Sequence, residues 1–387
     1  MKIVHTCLAD GFSDGMTYQE NLLAKFHTKN NEVYVIATQY SFIGGKWCRN
    51  EKTNYSEDNI YIYRIPYKYN LNYKINKYIG VFKDFYKLLE DINPDIIFCH
   101  NLQFADTKQI VKYANNHKNV KVFADNHADY SNSARNWLTK NLLYKLRWRH
   151  FAKLMEPITQ KFFGVTPSRV DFLKDIYGLN PSKCDLLVMG ADDDEVVRAS
   201  QPNVRKETRN TYGVLDDDFL IVTGGKIDQF KKQTLLLMEA VKSINSCNVK
   251  LLLFGSIEKE LINEVNELCD GTIIQYIGWA NSEQSYNYFA AADLVVFPGR
   301  HSVYWEQVAG MGIPMMCKYW EGTTHIDIGR NVIFINNDSS AEIKRNINYL
   351  LDNPEKYKKM KEAAQKEAKK YFLYSMIADQ AIGLKNY

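Results

Sequence analysis

The sequence predicts an α/β protein made of two doubly wound parallel sheets. Short β-rich runs alternate with helical patterns of about 10–15 residues, the grammar of parallel βαβ units. That grammar starts twice, at Lys2 and again at Phe219. A chain of 387 residues, 45% of them hydrophobic, has room for two cores.

In the first half, Lys2–Thr6 is a strand, followed by a loop with Gly11 and Gly15 and a helix over Tyr18–Lys29. Strands follow at Glu32–Thr38, Asn59–Ile65, Asp95–His100, Val120–Ala124 and Lys161–Val165, with a helix near Ile79–Asp91. In the second half, strands Phe219–Gly224, Val249–Gly255, Thr272–Ile277, Leu294–Pro298, Pro314–Lys318 and Val332–Ile335 alternate with helices. Those helices are Thr234–Ile244, Glu258–Cys269, Ser282–Ala291, Val303–Met311 and Ala341–Asn353. A charged helix, Glu355–Lys370, and a more apolar one, Tyr371–Leu384, end the chain. The expected organisation is a first domain over 1–195, a polar linker over 196–215, a second domain over 216–370 and a closing helix over 371–387. Doubly wound sheets bind ligands beyond the carboxyl ends of their strands, so the two domains should face a cleft lined by those loops.

Composition excludes several classes. Charged residues make up 24% and the net charge is +4, which argues against a disordered chain and against a nucleic-acid binder. Seven scattered cysteines form no CxxC, so zinc fingers and a disulfide framework are not expected. The first residues are too short an apolar run for a secretory leader, and nowhere do 18 apolar residues run together. The expected location is the cytoplasm. The 13% aromatic content fits the codon bias of an AT-rich genome.

Three segments carry chemistry. Gly224-Gly225-Lys226-Ile227-Asp228-Gln229-Phe230-Lys231-Lys232 lies between a strand and a helix. Glycines admit a ligand close to the backbone, and Lys226 and Lys231 place cations by a helix start that favours anions. A diphosphate would suit it, and so would a plain surface turn. Pro298-Gly299-Arg300-His301-Ser302-Val303-Tyr304-Trp305-Glu306-Gln307 is again strand, loop, helix. Its helix start offers the N–H groups of Ser302 and Val303 to an anion, and Glu306 one turn on can accept from sugar hydroxyls. Trp320-Glu321-Gly322-Thr323-Thr324-His325 follows the next strand.

Taken together, these segments resemble the donor domain of GT-B glycosyltransferases of the retaining family 4. Gly225-Lys226 with Lys231 is similar to its Gly-Arg-x4-Lys segment. Glu306 with Gly310-Met311-Gly312-Ile313-Pro314 is similar to the second half of its Glu-x7-Glu motif and following turn. The first carboxylate is absent, since Pro298 stands there. The His-Ser-x-x-Trp-Glu-Gln arrangement, with Trp-Glu-Gly after it, is most similar to polysaccharide-assembly members. Asp125-Asn126-His127, Gly164-Val165-Thr166-Pro167-Ser168 and Val188-Met189-Gly190-Ala191-Asp192 resemble family segments of the first domain.

The resemblance implies a GT-B fold with a C-terminal helix crossing back to the first domain. It also implies retaining, metal-independent transfer of a sugar from a nucleotide-sugar, a UDP-sugar by preference, to a glycan or lipid-linked acceptor in bacterial surface polysaccharide synthesis. His127, Lys226 and Lys231 would be catalytic. Gly15, Gly225, His301, Ser302, Val303, Glu306, Gly322 and Thr323 would hold the donor, Glu306 through the ribose diol. No cofactor and no metal site are expected. A nucleotide-sugar 2-epimerase of the same fold and a non-catalytic sugar-binding subunit remain the alternatives.

Two further signals need placing. Asp192-Asp193-Asp194 and Asp216-Asp217-Asp218 read as solvated acid beside the linker. Between 130 and 155 lie Arg135, Lys140, Lys145, Arg147, Arg149 and Lys153 and no acid. Trp137, Tyr144, Trp148 and Phe151 form one stripe there. The stripe is either core or the face of an interfacial helix on anionic lipid at the inner side of the membrane.

Overall fold

A computed structural model describes every residue except 44–45, 131–132, 135, 230–231, 245 and 386–387. The chain divides into two compact units, Met1–Val188 with Ile377–Tyr387, and Met189–Met376.

The first unit holds an eight-stranded sheet and a short hairpin. Its strands are β1 (Lys2–Cys7), β2 (Glu32–Thr38), the hairpin β3 (Tyr40–Ile43) and β4 (Lys46–Arg49), β5 (Asn54–Glu57), β6 (Ile60–Ile65), β7 (Ile96–Cys99), β8 (Lys121–Asn126), β9 (Thr159–Gly164) and β10 (Cys184–Leu186). The sheet order is β10-β9-β8-β7-β1-β2-β6-β5, parallel apart from the β5–β6 pair. The chain winds outward from β1 in both directions, so the loops after β1 and β7 part at a topological switch point.

The second unit repeats the scheme with β11 (Phe219–Gly224), β12 (Val249–Phe254), β13 (Ile274–Tyr276), β14 (Leu294–Phe297), β15 (Met315–Lys318) and β16 (Val332–Ile335). Their order, β13-β12-β11-β14-β15-β16, is parallel throughout, with the switch point between β11 and β14. Helices cover both faces of such sheets, which is why runs such as Leu251-Leu252-Leu253-Phe254 are apolar without alternation. Gly310 is required by packing, because a Cβ there would meet the Phe372 carbonyl oxygen at 2.5 Å.

The stretch expected as a linker is structured. Residues 196–215 carry most of the helix Asp193–Ala199 and all of Pro202–Thr211, and they belong to the second unit. Pro202 opens its helix at the first position, where no N–H is needed. Arg205 donates to the carbonyls of Ala290, Ala291 and Ala292, and Arg209 to that of Ala291. These are carbonyls at the end of the helix Ser282–Ala291 that have no partner within it. Both arginines pair with Asp293, at 2.7 and 3.2 Å. The two Asp runs are likewise not wholly solvated. Asp192 is buried and accepts from the Asp194 N–H at 3.1 Å, and buried Asp218 accepts from the Leu215 N–H at 2.8 Å. The closing segment contains the helix Tyr374–Ala381.

Arg209→Ala would leave Asp293 to Arg205 and the Leu220 N–H, and would strand the carbonyls of Leu215 and Asp218, which that buried guanidinium also serves. Equilibrium urea unfolding should show a loss of about 1–3 kcal/mol, the scale for leaving buried hydrogen-bonding groups unsatisfied.

Candidate functional site

In the second unit the loops after β11 and β12 are pressed together. Gly255 has φ +126°, and a Cβ there would lie 1.9 Å from the Gly225 carbonyl oxygen. The Gly225 N–H donates to the Phe254 carbonyl at 3.0 Å, and Ile227 bridges Ile257 in parallel. This pins Lys226 at the carboxyl edge of the sheet. Its ammonium donates to Glu258 Oε1 at 2.9 Å and pairs with Asp228 Oδ2 at 3.3 Å, contacts that raise its pKa. Lys226 is therefore already engaged by two carboxylates before any diphosphate arrives. Lys231 lies outside the described residues.

Across the switch point stands the loop after β14, held by the Trp320 indole N–H donating to the Gly299 carbonyl at 3.3 Å. A narrow, solvent-open pocket lies between the two loops, lined by Gly225, Lys226, Pro298, Gly299, Arg300 and Ser302 among others. The structure thus gathers Gly225 and Ser302 of the expected donor residues and Lys226 of the expected catalytic ones at one pocket, and adds Arg300. The one signal for Arg300 in the sequence was a basic residue directly after Pro298-Gly299. Val303 is exposed beside the pocket, preceding the helix Tyr304–Met311.

Glu306 has two side-chain partners that the sequence did not reveal. It is fully buried, and Oε1 accepts from His301 Nε2 at 2.7 Å and from His325 Nε2 at 2.9 Å. Burial would raise its pKa, but the two histidines outweigh burial and hold the carboxyl at about 2. Oε2 is buried and has no partner among the described residues, and so is His325 Nδ1. His301 is thus a partner of Glu306, and His325, to which no role was assigned from sequence, closes the cluster. The three ligand atoms lie within 4.8 Å of one another, a spacing a metal ion could span. The two distances to Oε1 are those of hydrogen bonds. Thr323 turns its hydroxyl back onto the Trp320 carbonyl at 2.9 Å, and with Gly322 it shapes the loop that carries His325.

In the first unit the loops after β1, β7 and β8 converge on a solvent-open cavity of about 420 Å³ lined by Asp10, Lys77, Asn101, Gln103, His127 and Tyr144 among others. Asn101, at φ +63°, is the hinge pin of this site. Its amide donates to Asp10 Oδ2 at 2.7 Å, and its Oδ1 accepts from the His127 N–H at 2.9 Å. Beneath it lies buried Asp125, accepting from the Asn101 N–H at 2.9 Å and from His100 Nδ1 at 2.8 Å, with His127 Nε2 at 3.6 Å. Burial opposes the charge on Asp125, yet His100 and His127 keep it well below the usual carboxylate range. For His127, burial lowers the pKa, but Asp125 reverses this and the net shift is upward. Gly15 is not in this lining. Its loop is tied down by Asp14, which takes the Arg64 guanidinium at 2.6 Å and the Tyr55 hydroxyl at 2.6 Å.

The aromatic stripe between 130 and 155 resolves mostly as core. Tyr144, Trp148 and Phe151 are buried. Trp137, the fourth member of the stripe, is instead exposed, and with Leu138, Leu142 and Leu146 it forms an apolar face at 51–69% exposure. The segment Thr139–Trp148 is a π-helix, whose wider turn aligns residues four apart. No helix among the described residues is long and apolar enough to cross a membrane.

Residues 233–383 match the family model described as glycosyl transferase-like. A comparison with curated protein sequences finds no significant match. Among solved structures the chain is similar to Anabaena HepE in complex with UDP, at 17% identity and TM-score 0.67 over 98% of both chains. It is similar to a glycosyltransferase from Rickettsia africae, at 15% identity and TM-score 0.67 over 99% of this chain and 97% of that one. It is also similar to the UDP-GlcNAc 2-epimerase of Neisseria meningitidis bound to UDP-GlcNAc, at 13% identity and TM-score 0.62 over the full length of both. At these identities the likeness defines the fold, which is that of the GT-B class, with two Rossmann-like domains.

Glu306 supplies a pH test. Its folded pKa of about 2 lies below the ordinary 4.5, so its stabilisation is complete above about 4.5 and is lost as pH falls towards 2. Glu306→Gln should lower Tm at pH 7 and flatten the wild-type decline in Tm across that acid window.

Proposed function

We propose that this protein is a retaining, metal-independent glycosyltransferase of family 4 type. It moves a sugar from a UDP-sugar to a glycan or lipid-linked acceptor in bacterial surface polysaccharide synthesis. The observation that carries this reading is the pocket at the β11–β14 switch point, where Gly225, Lys226, Arg300 and Ser302 gather. That set of backbone and cations suits a diphosphate, and the pocket lies at the carboxyl end of a doubly wound sheet. HepE was solved with UDP.

In this reading the second unit binds the donor. Cleavage of the anomeric C–O bond leaves negative charge on the diphosphate, and Lys226, Arg300 and the N–H groups of Ser302 and Val303 stabilise that charge. Lys231 is assigned the same role. Glu306 Oε2, buried and without a described partner, is the group that accepts a ribose hydroxyl. The first unit binds the acceptor in the cavity containing His127, which orients the reacting sugar. The exposed Trp137, Leu138, Leu142 and Leu146 face, flanked by Lys140 and Lys145 on an acid-free segment, rests on anionic lipid at the cytoplasmic side of the membrane.

Incubation with a panel of UDP-sugars is the direct test. Slow hydrolysis that speeds up with acceptor is expected, unchanged by EDTA. Formation of a 2-epimer would support the epimerase reading, for which the fold likeness to the Neisseria enzyme speaks. Binding without turnover would indicate a sugar-binding subunit. Arg300→Ala should lower kcat by about 10²-fold, the scale for removing one donor from a developing oxyanion. Leu142→Glu with Leu146→Glu should abolish flotation with anionic liposomes at low salt and leave turnover of a soluble acceptor unchanged.

A further inference from the structure

Four hydrogen bonds in the first unit form one unbroken line. His27 Nε2 meets the Ala378 carbonyl at 2.8 Å, and His27 Nδ1 meets His5 Nε2 at 3.0 Å. His5 Nδ1 meets His100 Nε2 at 2.9 Å, and His100 Nδ1 meets Asp125 Oδ2 at 2.8 Å. The three rings come from the helix Gln19–His27, from β1 and from the end of β7, and all are buried.

Both ends of the line can only accept, one being a carbonyl and the other a carboxylate. Each of the four bonds consumes one proton. A neutral imidazole carries one N–H, so three neutral rings supply three protons for four bonds. The line closes only with one proton more than the neutral rings hold.

We infer that His27, His5 and His100 form a relay holding one shared extra proton, and that through it they position Asp125 and hence His127. The relay is a set of positioning residues, since none of the three lines the cavity that His127 shares. Its bearing on sugar transfer rests on the reading of His127 given above, whereas its proton count does not.

The surroundings select where that proton rests. Asp125 terminates the line as a carboxylate and also accepts from the Asn101 N–H, so the charge is balanced best on adjacent His100. Burial, and then the neighbouring histidines, push His5 well below the imidazole range, and burial pushes His27 down to about 4. Those two rings are therefore the neutral Nε2–H members. Other groups face the line. Glu20 lies on the His100 and His127 side, Asp379 beside His27, and Arg169 near His127 with its own partner Asp129 at 3.2 Å. Cys7 and Cys99 stay protonated, since burial raises both thiols.

The far end of the relay is equally specific. Ala378 lies in the helix Tyr374–Ala381, within the Ile377–Tyr387 segment that belongs to the first unit. Its carbonyl is one of the last four of that helix, which have no partner within it, and His27 supplies the missing donor. Placement of the C-terminal segment is thereby linked by hydrogen bonds to Asp125.

Long-range ¹H–¹⁵N imidazole spectra of the full chain count the protons. Single variants His5→Gln, His27→Gln and His100→Gln serve only to assign signals. At pH 7 the wild type should show one of the three rings protonated on both nitrogens and two neutral Nε2–H tautomers. In Asp125→Asn the amide can still accept from the Asn101 N–H and can donate to His100 Nδ1, so it supplies the fourth proton itself. That variant should show three neutral rings, and its His127 should titrate at lower pH than in the wild type. Three neutral rings in the wild type, more than one cationic ring, or a cation that persists in Asp125→Asn would overturn the relay. If Asp125→Asn does not fold, the wild-type spectrum alone decides. Absence of sugar transfer in the wild type would reject the proposed function and leave the proton count to be judged on the spectra.

Discussion

The reversal of strand order at the centre of each sheet is the constraint on which the rest of the structure depends. Parallel strands need long crossovers, and winding outward from β1 and from β11 forces the central loops apart. Backbone N–H groups, carboxyl-edge loops and helix starts are then exposed at the same place in each unit. Every residue with a credible chemical role lies on one of those loops or supports one. Lys226 follows β11, Arg300 follows β14, Asn101 follows β7 and His127 follows β8. The pockets are consequences of winding, and side-chain chemistry is added to them afterwards.

Each unit then solves the same electrostatic problem in a related way. A carboxylate drawn out of water is stable only when its lone pairs are met, and at three places in this chain two basic groups meet them. Asp125 sits between His100 and His127, Glu306 between His301 and His325, and Asp293 between Arg205 and Arg209. The pairing partners differ with the task. Arg205 and Arg209 also cap carbonyls and serve the fold. The histidine pair on Glu306 leaves Glu306 Oε2 and His325 Nδ1 without a partner among the described residues, and both histidine pairs lie next to the cavities or on the loops that frame them. A carboxylate held by imidazoles can be released or reinforced by a single proton, whereas one held by guanidinium cannot.

Local signals were legible and distant partnerships were not. The strands, the restart at Phe219 and the Gly225-Lys226 turn follow from apolar runs and glycine placement, and the sheets bear them out. Residues 196–215 look like a linker by polarity, because Arg205 and Arg209 count as polar in a window and only the fold shows their heads buried on carbonyls. Tyr144, Trp148 and Phe151 share a stripe with Trp137, but a periodic stripe does not say which part of it a neighbouring element covers. The partnerships of Glu306 with His301 and His325, and of His5 with His27 and His100, join residues up to 95 positions apart. No spacing rule reaches that far. The two buried histidines at 5 and 27 sit in ordinary strand and helix patterns, and the hydrogen bonds alone distinguish them from core residues.

The same bookkeeping of lone pairs sharpens what Glu306 can do. A carboxylate with both oxygens open can grip two neighbouring hydroxyls at once. Here Oε1 already accepts two N–H bonds, and Oε2 alone is left. The carboxylate therefore has one oxygen for an incoming hydroxyl, and the second hydroxyl of a diol must find another acceptor. His325 Nδ1, the other orphaned atom of the cluster, is an acceptor in the neutral tautomer whose Nε2–H donates to Glu306.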